Sequence, residues 1–120
     1  MFSIRVSTSF NAVHAVTINS VEETPHDHQW KVEVVIEGNS LDKDCVLINF
    51  IDVENRLAMI IAPLSGSNLN TVDVLEYKNP SAEQVALYIG EAMSKQFHGD
   101  TRVQSVTVTE APNCQATYTL

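Results

Sequence analysis

Two stretches of this chain alternate apolar and polar residues with period two, and the apolar side of each carries histidine at one end. Residues 2–14 place Phe2, Ile4, Val6, Thr8, Phe10, Ala12 and His14 on one face and Ser3, Arg5, Ser7, Ser9 and Asn11 on the other. From His26 the even positions are His26, His28, Trp30, Val32, Val34 and Ile36. The odd ones are Asp27, Gln29, Lys31, Glu33 and one exception, Val35. The pattern predicts two strands whose adjoining ends meet if they pair antiparallel through residues 15–25. Pro25, which has no backbone donor, suits the position where the second strand begins.

The period then changes. Glu37 to Asp44 is a polar turn region, and Cys45-Val46-Leu47-Ile48 is a short apolar lead-in. Asn49 is a helix N-cap with Asp52 at N3, and Phe50, Val53, Leu57, Ile60 and Ile61 recur at helical spacing until Pro63. This predicts a helix over residues 50–61. Residues 63–80 read as a loop with a short extended piece at Val72–Leu75. Ser81 with Gln84 forms a capping-box pattern, and Val85, Tyr88, Ile89, Ala92, Met93 and Phe97 give a second helical stripe ended by Gly99. Period two returns with Gln104, Val106, Val108 and Glu110. A hairpin through residues 111–114 then leads to Ala116, Tyr118 and Leu120. The order is ββααββ, an α+β fold in a single domain spanning residues 1–120.

Composition narrows the function classes. The 120 residues hold 7 Lys plus Arg against 15 Asp plus Glu, a formal net charge of −8 that excludes a basic nucleic-acid-binding face. No apolar run is long enough to cross a membrane, and the first residues lack the pattern of a secretory signal. The two cysteines, Cys45 and Cys114, are too few for a disulfide framework or a cysteine metal site, which points to a reducing cytoplasm and to packing roles for both.

The chemistry lies in the histidines. An HxH on a strand projects both imidazoles to one side, and His14 arrives beside them from the first strand. Three neutral imidazoles with a free fourth position are the catalytic arrangement for zinc, since structural sites supply four protein ligands. Glu110 ends an apolar stripe, where a carboxylate must reach water or find donors. It suits a substrate edge offering two N–H groups.

These residues carry a family resemblance. Phe10-Asn11-Ala12-Val13-His14, His26-Asp27-His28-Gln29-Trp30, Leu47-Ile48-Asn49-Phe50, Asn68-Leu69-Asn70, Asn79-Pro80-Ser81-Ala82-Glu83 and Thr109-Glu110-Ala111-Pro112, with Tyr118, stand in the order and spacing of one family. The chain resembles the 6-pyruvoyl-tetrahydropterin and 6-carboxytetrahydropterin synthases along nearly its whole length. The resemblance implies a tunnelling fold, with a four-stranded antiparallel sheet and two helices on one face. It also implies assembly into a homotrimer or homohexamer with active sites between subunits. By the same resemblance His14, His26 and His28 hold Zn2+ against the side-chain hydroxyls of a dihydropterin, such as 7,8-dihydroneopterin or its triphosphate. Glu110 grips the pterin ring, with Asn70 and Ser81 as further substrate-binding candidates.

The departures are as informative. Where the synthases carry a catalytic cysteine this chain has Glu22, and Glu23 matches the glutamate of a folate-branch subgroup. A glutamate base suits retro-aldol cleavage to 6-hydroxymethyl-dihydropterin. The Asp-His pair of the family is replaced by Ser65 and Gly66, the glycine of its HGH by Asp27, and the arginine that often follows the first histidine by Ala15. Asp27, Asp73 and His98 are the titratable groups left to replace that relay, and spacing singles out none of them. The expected function is zinc-dependent lyase chemistry on a dihydropterin side chain, either retro-aldol cleavage or 6-pyruvoyl- or 6-carboxy-tetrahydropterin synthesis, with Glu23 or Glu22 as base. The alternative is an altered paralogue that binds a pterin-like ligand without turnover.

Overall fold

The computed structural model describes residues 1–120. Strand β1 (Phe2–His14) and strand β4 (His26–Gly38) pair antiparallel over their full length, from Phe2 opposite Gly38 to His14 opposite His26. Strands β5 (Arg102–Ala111) and β6 (Cys114–Thr119) complete one antiparallel sheet in the order β1-β4-β5-β6. Helix α1 (Phe50–Ile61) packs near β1, and helix α2 (Ala82–Ser94) lies over β5 and β6. This is the expected α+β tunnelling architecture.

The period-two apolar face of the sheet meets the helical stripes. Trp30, Val32, Val34, Ile36, Val106 and Val108 are fully buried against Val53 and Leu57 of α1 and Val85, Ile89 and Met93 of α2. Each such side chain stabilises the fold by about 1.5–3 kcal/mol relative to exposure. Asn49 Oδ1 accepts the Ile51 N–H at 2.9 Å, and Ser81 Oγ accepts the Gln84 N–H at 3.1 Å, so both helices begin at side-chain caps. Close approach is demanded at Gly90, where an added Cβ would lie 2.5 Å from Cδ2 of Tyr118.

Five local expectations are corrected. First, residues 15–25 hold a second, two-stranded sheet, β2 (Thr17–Ile18) and β3 (Val21–Glu22), turned at Asn19 and Ser20. Both turn residues are left-handed (φ 53° and 66°), as a primed hairpin turn requires. Second, the region of Val72–Leu75 is not extended: two 3-10 turns span Leu69–Thr71 and Asp73–Leu75. Third, α2 stops at Ser94, short of Phe97, and the Arg56 guanidinium lies 5.8 Å from the Phe97 ring centroid. Fourth, a bulge at Gln104 re-phases β5, so that Val103 rather than Gln104 is buried, opposite Ile36. Fifth, Cys45 and Cys114 are exposed rather than packed, Cys45 in a polar turn and Cys114 at the start of β6. No helix is long and apolar enough to cross a membrane.

Candidate functional site

The β1–β4 register places His14 directly opposite His26, and His28 follows two residues later on the same face. Beneath them the fully buried Trp30 stacks near Phe10, with centroids 6.0 Å apart, and donates its indole N–H to the Ala12 carbonyl at 3.2 Å. Its ring stands edge-on to His14 at 4.7 Å and forms the floor of the cluster.

Backbone carbonyls orient two of the imidazoles. His14 Nδ1–H donates to the Pro80 carbonyl at 2.8 Å, and His26 Nδ1–H donates to the Thr24 carbonyl at 2.9 Å. A carbonyl only accepts, so in both rings the Nδ1 carries hydrogen and the neutral ring turns a lone pair outward at Nε2. Those two Nε2 atoms lie 3.0 Å apart, and Glu110 Oε1 approaches His14 Nε2 to 2.5 Å. The same oxygen is 3.7 Å from His28 Nε2 and 3.9 Å from His26 Nε2. Facing lone pairs at such distances repel unless a proton or a metal cation lies among them. The four donor atoms all fall within 4.8 Å of one another, and nitrogen and carboxylate oxygen are donors that zinc accepts. The residues fit a small divalent cation.

Glu23 reaches the rim of this cluster. The hairpin β2–β3 continues one step, with Glu23 N–H donating to the Val16 carbonyl at 3.1 Å. Val16 N–H in turn donates to Glu23 Oε1 at 2.8 Å, which holds that oxygen 3.7 Å from His26 Nε2. Glu22, paired with Thr17, is exposed and touches none of the three histidines. Asp27, Asp73 and His98 also stand outside the cluster.

Asn70 and Ser81 are engaged by the protein itself. Asn70 accepts the Ala15 N–H at its Oδ1 and donates from Nδ2 to the Ala15 carbonyl, each at 2.8 Å, and Ser81 caps α2. Asn79 repeats the Asn70 clamp on Thr17, again with two 2.8 Å bonds. These clamps fix residues 15–17, on which both His14 and the Glu23 contact depend. The carbonyls of Pro80 and Thr24 and the N–H of Val16 carry no signal of residue type, so only the fold reveals their part. Gly66, where the family's pair would stand, donates its N–H to the Asn11 carbonyl at 2.7 Å and has φ 71°.

Two open concavities meet at Glu110. One, of about 460 Å³, is lined by residues including Glu83, Gln115 and Thr117; the other, of about 340 Å³, by His28, Gln29 and Pro112 among others. A flat heterocycle reaching Glu110 has room on either side.

Comparisons with known proteins identify the family and the fold. Residues 3–120 match the family described as 6-pyruvoyl tetrahydropterin synthase. The chain is 32% identical over 102 residues to the dihydroneopterin monophosphate aldolase of Pyrococcus furiosus, covering 85% of this chain and 83% of that one. Its fold superposes on the 6-pyruvoyl tetrahydropterin synthase of Caenorhabditis elegans with a TM-score of 0.86 at 16% identity, over 99% of this chain and 95% of the other. It also superposes on a Plasmodium vivax 6-pyruvoyltetrahydropterin synthase carrying a replaced catalytic glutamate, with a TM-score of 0.81 at 19% identity, over 98% and 96%. The chain belongs to the 6-pyruvoyl tetrahydropterin synthase family.

Proposed function

We propose that this protein is a zinc-dependent lyase that cleaves the side chain of a 7,8-dihydropterin by a retro-aldol reaction. The observation that carries the reading is the Glu23 carboxylate, held by Val16 N–H and poised 3.7 Å from His26 Nε2. His14, His26 and His28 would hold the zinc, which when bound supplies a Lewis acid that lowers the pKa of a coordinated hydroxyl. Glu110 accepts two N–H groups from the amidine-like edge of the pterin and so fixes the ring.

With the ring fixed, Glu23 removes the proton of the second side-chain hydroxyl. The bond between the first and second side-chain carbons breaks, and its electron pair passes to the first carbon, conjugated with the ring imine. The second carbon leaves as an aldehyde. The proton taken by Glu23 is the one that the first carbon then needs, and its return gives 6-hydroxymethyl-7,8-dihydropterin. No oxidant or further reactant is required. The name of the Pyrococcus furiosus relative and the scarcity of cations here (7 Lys plus Arg in all) favour a substrate with one phosphate or none over a triphosphate. We place the enzyme in the cytoplasm as a homotrimer or homohexamer; the outer edges of β6 and of β1 before Asn11 have no strand partner, and closure into a barrel would cover them.

The test is to incubate the zinc-loaded protein with dihydroneopterin bearing no, one or three phosphates and identify products by mass. Formation of 6-hydroxymethyl-7,8-dihydropterin with glycolaldehyde or its phosphate is expected. If none is turned over while dihydroneopterin still binds, and Glu110→Gln abolishes that binding, the chain is a binding module instead.

A further inference from the structure

We propose that Glu110 is a fourth ligand of the metal in the resting protein and leaves it when substrate arrives. The inference starts from distances within the cluster. A tetrahedral zinc with bonds of 2.0–2.1 Å has donor–donor edges of about 3.3 Å. The separations of 3.7 and 3.9 Å from Glu110 Oε1 to His28 and His26 Nε2, with 3.0 Å between His14 and His26, lie near that edge, and the 2.5 Å contact of Glu110 with His14 is the one that a bound metal would lengthen. Glu110 completes a closed set of four donors rather than standing beside an open set of three.

The environment of the carboxylate points the same way. Its side chain is about one-quarter exposed, and its close polar neighbours are the three imidazoles, two of which have their hydrogens committed to backbone carbonyls. A carboxylate so placed needs a cation. Glu110 is also the extra residue of a bulge between β5 and β6: Thr109 pairs with Gln115 and Ala111 with Cys114, leaving Glu110 without a partner in β6. Bulges of this kind re-aim a side chain, and the flanking concavities leave the carboxylate room to swing away.

Two duties on one carboxylate exclude each other. While Glu110 closes the site the metal is shielded from weak ligands. When the pterin edge draws the carboxylate away, the position it leaves is free for the hydroxyl of the same substrate. This second half rests on the function proposed above; the first half does not.

The experiment uses wild type, Glu110→Gln and Glu110→Asp, each loaded with one equivalent of cobalt(II), with the control Glu22→Gln. Chelator competition should show metal affinity weakened at least about 10-fold in Glu110→Gln, the scale on which metal sites respond to lost support, and unchanged in Glu22→Gln. Thiocyanate should perturb the cobalt spectrum of Glu110→Gln at concentrations that leave wild type unaltered, and dihydroneopterin should shift the wild-type spectrum. Circular dichroism of the metal-free variants separates a lost ligand from a lost fold, and Glu110→Asp, which keeps the charge, should retain part of the affinity. Equal metal affinity and equal thiocyanate response in wild type and Glu110→Gln would overturn the assignment. A wild-type spectrum indifferent to bound dihydroneopterin overturns the exchange. Absence of turnover with the chelator result intact sinks the lyase reading alone.

Discussion

His14 and Pro80 lie 66 residues apart in the chain, yet the imidazole of one is held by the carbonyl of the other at 2.8 Å. The bond ties the end of β1 to the entrance of α2 and gives the buried histidine a structural duty besides its proposed chemical one. Without metal, His14→Ala should cost about 2–4 kcal/mol, from a cavity and an orphaned carbonyl. His26→Ala, at a part-exposed ring, should cost under about 1 kcal/mol. Both should lose most bound zinc. Urea melts in chelator and metal analysis read the two effects separately, and full metal retention by His26→Ala would refute the site.

Glu23 is expected to act on rate rather than on affinity. Glu23→Gln should lower kcat about 10²-fold or more with little change in pterin binding, while Glu110→Gln should weaken binding first. Steady-state kinetics beside a fluorescence titration of dihydroneopterin distinguishes them. Equal activity of Glu23→Gln and wild type would move the base elsewhere.

At Gly90 two effects of one methyl oppose each other. Alanine normally gains about 1 kcal/mol over glycine inside a helix. Here the added carbon meets the Tyr118 ring at 2.5 Å, and that ring is tied through its hydroxyl to Glu91 at 2.6 Å. Overpacking should win, leaving Gly90→Ala less stable by about 1–2 kcal/mol. Adding Tyr118→Leu should restore part of the loss in the same denaturation experiment.

Asp100 gives the fold an acid-sensitive latch. The backbone N–H of Asn39 at 2.8 Å, with further bonds from Ser40 and the Asn39 side chain, holds its carboxyl below the usual value. The folded state therefore favours the ionised form. Its contribution is complete above the unfolded pKa and is lost as pH falls through the lower folded one. The difference in Tm between wild type and Asp100→Ala should be largest above about pH 5 and shrink toward about pH 2. A difference that stays constant over that range would show that ionisation of Asp100 contributes nothing.

The outer edges of β6 and of most of β1, which is covered only near Asn11 and Val13 by residues 66–68, predict assembly. Light scattering at micromolar concentration should report a trimer or hexamer; a clean monomer would contradict the proposed barrel.

Much of this was legible because period two is a strong signal over 13 residues. The even positions from Phe2 to His14 and from His26 to Ile36 could be assigned one face, which brings the three histidines together once the strands pair antiparallel, while the exact register of His14 opposite His26 comes from the fold. The caps Asn49 and Ser81 were equally plain, because their side chains do the capping. What escaped was set by the backbone or by very short elements. Two-residue strands have no period to read, and Asn19 and Ser20 adopt left-handed angles without a glycine to announce them. The bulge at Gln104 slips the phase by one residue, a change that Val103 and Val106 reveal only once their partners are known. The clamps by Asn70 and Asn79 look in sequence like any polar loop.

The small hairpin of residues 17–22 fixes which of two neighbouring acids stands beside the histidines. It delivers consecutive acids, Glu22 and Glu23, to the edge of the cluster, and alternation along an extended backbone sends neighbouring side chains to opposite sides. Only one can face the histidines, and the turn at Asn19 and Ser20 decides which. Lengthening or shortening that turn by one residue would exchange the inward-facing position without touching a histidine or the core. On the function proposed above, the choice of base is therefore made by a turn that belongs neither to the histidine cluster nor to the core.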